Sequence, residues 1–264
     1  MIMEKVKIGC DPEFMIGVPD SERIIYGETI CSMNGHIGTD MHGDQMELRP
    51  HPSENTLDVV TNIRSILRLL VKENPKLKSL AFIGGHFHSA PIGGHIHIRP
   101  IRSATTFGDD WNEIQKHPVV KLLDLILFHG LATVIDDAKG RAHRRQWGYG
   151  KMSDVRESGE NGIEYRTPPC WLVHPTLTFL YLCLAKICAL LELNKSDYSK
   201  TYDIIIKSKV KGMSLLSLLA DRIANIPSLV KEEDIRMCVK ILRNLRRNKL
   251  VIDWKQDFKK AWGL

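Results

Sequence analysis

The residues able to do chemistry in this sequence recur two positions apart. Asp11 and Glu13 are so spaced, as are Glu47 and Arg49, His95, His97 and Arg99, and Glu164 and Arg166. Side chains on a β-strand alternate between its faces, so each set occupies a single face. The intervening residues are Pro12, Leu48, Ile96, Ile98 and Tyr165. Each segment therefore has one face fit for a core and one face of carboxylate, imidazole or guanidinium. A half-exposed sheet with a solvated polar face is the usual reason for alternation. Here the polar faces use Asp, Glu, His and Arg almost alone. Glycines 9, 43, 93, 94 and 162 lie beside them, as is common where something approaches the backbone closely.

If these faces converge, the shared site holds Asp11, Glu13, Glu47 and Glu164, with Asp44 nearby. Carboxylates crowded together out of water either protonate or bind cations, because each unpaired buried charge is costly. Oxygen donors with one imidazole suit Mg²⁺ or Mn²⁺. His95 and His97 could instead serve Zn²⁺, but the abundance of carboxylates favours the harder ion. Arginine supplies the other half. Arg49, Arg99 and Arg166 share the polar faces, residues 141–150 add Arg141, Arg144 and Arg145, and Lys151 and Arg156 follow. Guanidinium groups bind phosphate through two parallel hydrogen bonds. Metal carboxylates beside arginines are the parts needed to hold a nucleoside triphosphate and stabilise a phosphoryl group in flight. No GxxxxGK[ST] or GxGxxG sequence occurs, so neither a P-loop nor a Rossmann site is available.

The elements that must position these groups follow from periodicity. Strands are expected over residues 5–16, 23–26, 44–49, 79–84, 95–99 and 163–167. Helices are expected over 54–74, 118–136, 175–193, 202–224 and 231–247. The first carries Leu57, Val60, Ile63, Leu67 and Leu70 on one stripe, with Ser53 as its N-cap. Pro118 and Pro175 sit at helix starts, where proline is tolerated. Residues 1–170 are rich in glycine, histidine and short alternating runs, whereas 171–264 read as helix after helix. The economical reading is one α+β domain over 1–264 with a helical C-terminal portion.

Composition sets the limits. The chain has 264 residues, 43% hydrophobic and 26% charged, which excludes a disordered, collagen-like or disulfide-stapled protein. Its net charge is +6. Residues 230–264 carry ten Lys/Arg against five Asp/Glu, so they account for +5 of that total. Cysteines at 10, 31, 170, 183, 188 and 238 form no CxxC pair, and reduced thiols are expected. The N-terminal residues hold no apolar signal run. The most hydrophobic stretch, 176–191, is short and interrupted by Lys186, so a buried core helix is expected and no membrane contact. The expected location is the cytoplasm, that of the host if the chain is phage-encoded.

The motifs GCDPEFMIG, GDQMELRPHP, GGHIHIRP and GIEYRTPP, in this order and strand parity, resemble the glutamine synthetase/glutamate–cysteine ligase superfamily of carboxylate–amine ligases. They look most like its small phage-type branch, the amidoligases. The likeness covers roughly residues 8–175. It implies a curved, mainly antiparallel sheet whose concave polar face binds ATP and Mg²⁺ or Mn²⁺, with helices on the other face. It also implies a reaction that phosphorylates a carboxylate with ATP and lets an amine attack the acyl phosphate. Glu13 and Glu47, with Asp44, would hold the ion nearer the acceptor. Asp11, His95 and Glu164 would hold the ion bridging the β- and γ-phosphates. His97 would face the phosphates. Arg166, with Arg49 on the neighbouring face, would act on the transferred phosphoryl, and Arg144, Arg145, Lys151 and Arg156 would clamp phosphate or substrate carboxylate. Glu28, Asp40 and His42 are candidates for the general base. The implied partners are small-molecule or peptide carboxylates and amines, with homo-oligomerisation left open.

Two rivals make different demands. A zinc hydrolase built on His95 and His97 needs no ATP and leaves the arginines without a role. A non-enzymatic nucleic-acid or assembly protein would use the basic run 240–249, KILRNLRRNK. That run surrounds Ile241, Leu242 and Leu245 without interleaved aromatics, as a solvated helix face does, so nucleic acid is not the expected partner. His86 and His88 are expected to be strand residues with no role at the site.

Overall fold

In the computed structural model, the described residues are all except 1–4, 22, 31–34, 40–42, 86–90, 102–110, 136–137, 160, 246–251, 253 and 255, with the backbone alone at 111–113 and 138–140. Among them, eight strands form one sheet. These are β1 (Val6–Gly17), β2 (Ile24–Ile25), β3 (Ile37–Thr39), β4 (Met46–Leu48), β5 (Ala81–Ile83), β6 (Gly94–Pro100), β7 (Val155–Glu157) and β8 (Ile163–Tyr165). The long strand β1 is the hub. Its first half pairs with β6 from Val6↔Pro100 to Pro12↔Gly94, and its second half pairs with β4, β2 and β5. The path runs β3-β4-β1-β6-β8-β7, and every pairing is antiparallel. This is the expected α+β architecture with an open antiparallel sheet.

The predicted alternation sets what each face does. Val6, Ile8, Cys10, Phe14, Met46, Leu48, Ile96, Ile98, Ile163 and Tyr165 are buried on the apolar side. Helices α1 (Thr56–Glu73) and α6 (Pro175–Leu193) back that side. Between them in sequence lie α2 (Trp111–Lys116), α3 (Pro118–Leu123), α4 (Thr133–Ile135) and α5 (Ala138–Gln146). A π-helical segment, Asp124–Ala132, joins α3 to α4. The C-terminal helices are α7 (Lys195–Ile206), α8 (Gly212–Ala224), α9 (Pro227–Val230), α10 (Glu233–Leu245) and α11 (Lys259–Trp262).

Helix α6 is buried at every residue from Leu177 to Leu191. Its 19 residues are long and apolar enough to cross a membrane, as are Pro118–Ile135, so shortness is not what marks α6 as a core helix. Burial is: 83% of it is enclosed by protein. Lys186 is accommodated there by Glu232 Oε2 at 2.5 Å and Asp234 Oδ2 at 2.8 Å. Asp234 also accepts from the backbone N–H and hydroxyl of Thr56, which joins α10 to the start of α1.

Several expected boundaries shift. The cap of α1 is Asn55, whose side chain accepts from Leu57 N, while Ser53 Oγ accepts from Asn55 N and donates to Asp58. The helix expected over 202–224 is two, α7 and α8. The chain breaks before Gly212, whose φ of 56° is left-handed. Strand β8 stops at Tyr165, short of Pro168 and Pro169, which cannot donate to a sheet ladder. The described part of the last predicted helix ends at Leu245, and the basic residues 246–249 lie outside the described residues. Cys10, Cys170, Cys183, Cys188 and Cys238 are free and buried, as expected of reduced thiols, and Cys31 lies outside the described residues.

Candidate active site

Register brings the polar residues into rows. Asp11 on β1 pairs with His95 on β6, and Gly9 pairs with His97. His97 pairs with Glu164 on β8, and Glu164 with Arg156 on β7. On the other side of β1, Glu13 pairs with Glu47 on β4. The four distant stretches therefore meet on one face.

At the centre, one ligand atom each from Asp11, His95 and Glu164 lie within 4.8 Å of one another. His95 Nδ1 is 3.3 Å from Asp11 Oδ1 and 3.4 Å from Glu164 Oε1. His97 Nε2 is 3.1 Å from Asp11 Oδ1, and His97 Nδ1 is 2.5 Å from Ser158 Oγ. Glu13, His95 and Glu164 are each only 2% exposed, so their charges are settled by protein groups or by a bound ion. Asp11 Oδ1 and His95 Nδ1 are sealed from solvent without a well-formed hydrogen bond. Two buried atoms without a well-formed hydrogen bond, with a third carboxylate oxygen beside them, fit a divalent cation. Two oxygens and one nitrogen suit Mg²⁺ or Mn²⁺ and are also compatible with Zn²⁺.

The groups of the cluster shift one another's protonation. Burial alone would raise the Asp11 pKa, but the imidazoles of His95 and His97 hold its carboxyl well below the usual carboxylate range. Burial also opposes the His95 cation, yet Asp11 and Glu13 raise its pKa to about 9. His97 is raised against burial by Asp11 and Glu164.

Glu164 carries two arginines. Arg156 Nε donates to Oε2 at 2.5 Å and Arg166 Nη1 to Oε1 at 3.0 Å. Arg49 Nε donates to Glu47 Oε1 at 2.6 Å. Its guanidinium also covers Gly38, where a Cβ would come within 2.7 Å of Nη1. Arg49, Lys7, Arg99, His97 and Asp11 line a cavity of about 460 Å³ beside the cluster. That cavity presents three permanent cations next to the carboxylate row, a setting for a polyanion.

Other predicted residues stand apart. Arg144 is buried with its Nε near Gly150, beside Thr167 and Pro168, and is packed under the loop rather than presented in the cavity. Arg145 is exposed over the Phe128 ring, its Cζ 5.8 Å from the centroid. Lys151 is exposed near Gly148. Asp44 has a sealed Oδ1 without a hydrogen bond and is not part of the three-residue cluster. Glu28 is exposed and lies over Gly43. Asp40, His42, His86 and His88 lie outside the described residues.

Sequence reasoning missed three contributors. Lys7 shares the strand parity of Gly9, Asp11 and Glu13, a signal that could have found it. Ser158 precedes a glycine in the β7–β8 turn and carries no distinguishing pattern. Tyr149 stands between Gly148 and Gly150, whose φ values of 72° and 65° are left-handed and turn the loop tightly. Its hydroxyl donates to Glu13 Oε1 and Oε2 at 3.0 and 3.1 Å and lies 2.5 Å from His95 Nε2.

The architecture recurs in solved structures. A chain in the crystal structure of the complex between the prokaryotic ubiquitin-like protein Pup and its ligase PafA matches with a TM-score of 0.61 and 7% identity, over 95% of this chain and 66% of that one. A bifunctional glutathione synthetase from Pasteurella multocida matches with a TM-score of 0.50 and 11% identity, over 98% of this chain and 51% of that one. The chain thus spans just under two thirds of the first and about half of the second. At such identities the likeness is one of fold. The class of the protein comes from its sequence, which is that of the COOH.NH2 ligases. The chain belongs to the phage phiEco32-like COOH.NH2 ligase-type 2 family, whose model matches residues 8–264. No curated protein matches the sequence.

Proposed function

We propose that the protein joins a carboxylate to an amine at the expense of ATP, through an acyl phosphate. Residues 1–264 act as one catalytic unit, since α6 packs on both β1 and β6. A carboxylate is a poor electrophile. Transfer of the γ-phosphoryl group to one of its oxygens releases ADP and gives a good leaving group. Attack of the amine on the acyl carbon then forms the amide and expels phosphate, with one proton lost from the amine.

The observation that carries this reading is the convergence of Asp11 Oδ1 and His95 Nδ1, buried and without a well-formed hydrogen bond, on the buried Glu164 Oε1, beside a cavity lined by Lys7, Arg49 and Arg99. When bound, Mg²⁺ or Mn²⁺ would neutralise and align the phosphates. Asp11, His95 and Glu164 would hold one such ion, and Glu13 and Glu47 a second. Arg166 and Arg156, held by Glu164, stand where charge on a transferring phosphoryl group would develop, and preorganised cations there lower the barrier. Lys7, Arg49 and Arg99 would bind the rest of the triphosphate. His97 faces the same cavity. Such a site needs alignment and charge neutralisation more than a protein nucleophile. Of the candidates for taking the amine proton, Glu28 is the one among the described residues. The acid and amine are small molecules or peptides, and an ATP-consuming reaction belongs in the cytoplasm.

The test is incubation with ATP, Mg²⁺ and pools of amino acids or peptides, with ADP release followed. Amine-dependent ADP release is expected. A substrate labelled with ¹⁸O in its carboxylate should pass one labelled oxygen to inorganic phosphate, which only an acyl phosphate explains. Stoichiometric zinc in the purified protein, with hydrolysis that needs no ATP, would establish the rival reading instead.

A further inference from the structure

We propose that Tyr149 is a positioning residue for the cation site: its hydroxyl keeps a proton on His95 Nε2, so that Nδ1 is the ligand offered beside Asp11 and Glu164. The inference rests on the cation site of the ligase reading and adds to it the ligating nitrogen and the group that selects it.

The argument is one of hydrogen-bond direction. Tyr149 Oη lies 3.0 and 3.1 Å from the two oxygens of Glu13 and 2.5 Å from His95 Nε2. A phenol has a single proton, and an ionised carboxylate only accepts. The Tyr149 proton therefore goes to Glu13, and the phenol oxygen accepts from Nε2–H. Glu13 Oε1 is itself 3.9 Å from Nε2, beyond hydrogen-bond reach, so the phenol bridges the gap. With Nε2 committed as a donor, Nδ1 is free to give its electron pair to a cation. It already lies 3.3 Å from Asp11 Oδ1 and 3.4 Å from Glu164 Oε1, without a well-formed hydrogen bond.

The placement of the ring is built. The Arg166 guanidinium carbon stands 5.5 Å from the ring centroid, so the residue on Glu164 also packs on Tyr149. Gly93 lets the phenol come close. A Cβ there would lie 2.8 Å from Tyr149 Oη and 2.9 Å from His95 Nε2. The backbone N–H of Gly93 donates to Glu13 Oε2 at 2.7 Å, which fixes the carboxylate that receives the Tyr149 proton. Groups that hold the far nitrogen of a metal-binding histidine set its tautomer and tune affinity.

Two measurements on the full chain test this. Mn²⁺ alone is titrated into wild type and Tyr149→Phe, and the bound ion is read by electron paramagnetic resonance. The substitution removes one oxygen, and affinity should fall about 10–100-fold. In parallel, two-bond ¹H–¹⁵N correlation spectra of histidine-labelled protein with Mg²⁺ should show His95 as the Nε2–H tautomer in wild type and as a mixture in Tyr149→Phe. An Mn²⁺ affinity within about twofold of wild type, or an Nδ1–H tautomer in Mg²⁺-loaded wild type, overturns the inference while leaving the ligase reading intact. Should Tyr149→Phe fail to fold, the wild-type spectrum decides alone. Wild type that binds no Mn²⁺ at all overturns both.

Discussion

Glu13 and Glu47 face each other as direct register partners across the β1–β4 pair, two carboxylates on one side of a sheet. Like charges in that relation are destabilising. Each is held by a different donor set, Glu13 by Gly93 N–H and Tyr149, Glu47 by Arg49. A pairing that costs stability yet is so well supported is what the proposed second cation site would require. Glu13→Gln and Glu47→Gln should each lower amine-dependent ADP release by about a hundredfold or more. Unfolding free energy in EDTA should change by less than about 1 kcal/mol. Full activity in either variant would remove the carboxylate pair from the mechanism.

Lys7 offers a test that separates binding from chemistry. It lines the cavity beside Arg49 and Arg99 and is not one of the three clustered ligands. Lys7→Ala should raise KM for ATP about tenfold and leave kcat nearly unchanged, as loss of uniform binding does. Steady-state kinetics at two ionic strengths would check it, and the difference between the proteins should shrink at high salt. A fall in kcat with constant KM would place Lys7 at the reacting phosphoryl instead.

Gly93→Ala makes a prediction from shape alone. The added methyl would meet the Tyr149 ring and His95 Nε2 inside van der Waals contact. Mn²⁺ binding should weaken by about the same 10–100-fold expected of Tyr149→Phe, and the double variant should be no worse than either. Additive losses would show that the glycine matters for some other reason.

The buried pair of Lys186 and Asp234 predicts a stability profile with two edges. Burial opposes both charges, but each partner lowers or raises the other: Asp234 lies below its ordinary carboxyl value and Lys186 above its ordinary ammonium value. The Asp234 contribution is present above the unfolded carboxyl pKa, about 3.9, and is lost as pH falls through the lower folded value. The Lys186 contribution is present below the unfolded ammonium pKa, about 10.4, and is lost as pH rises through the higher folded value. Asp234→Asn leaves Lys186 with Glu232 alone and should cost about 3–5 kcal/mol near neutrality. Urea unfolding across pH should show that gap as a plateau between the two edges. A gap that stays constant down to strongly acid pH would contradict the assignment.

Most of the site was legible because strand parity is a strict rule. Spacing of two alone puts Asp11 with Glu13, His95 with His97, and Glu164 with Arg166 on one face of their strands, and the register of β1 with β4 and β6, and of β6 with β8, brings these together with Glu47. What lay in loops and helix ends was not legible. Arg144 and Tyr149 sit five residues apart in one basic segment. Nothing in spacing says that the arginine would be packed under Gly150 while the tyrosine reaches Glu13. That outcome depends on two left-handed glycines and on the place where α5 ends. The break between α7 and α8 escaped for a related reason: the apolar stripe continues through 202–224, and Gly212 interrupts the backbone without interrupting the pattern. The cap at Asn55 rather than Ser53 shows how two good acceptors in one turn divide the work by geometry.

The last turn of the chain lies against its first strand. Phe258 packs edge-on to Phe14 at 5.6 Å and its N–H donates to Phe82 O. Lys259 Nζ donates to the carbonyls of Leu77, Lys78 and Leu80. The Trp262 indole donates to Leu172 O, and the Trp262 carbonyl accepts from Arg64. A ribosome delivers β1 first and these partners some 240 residues later. The nascent sheet must therefore wait with its hydrophobic back incompletely covered, and transiently exposed apolar surface of that kind is what makes a folding chain prone to association.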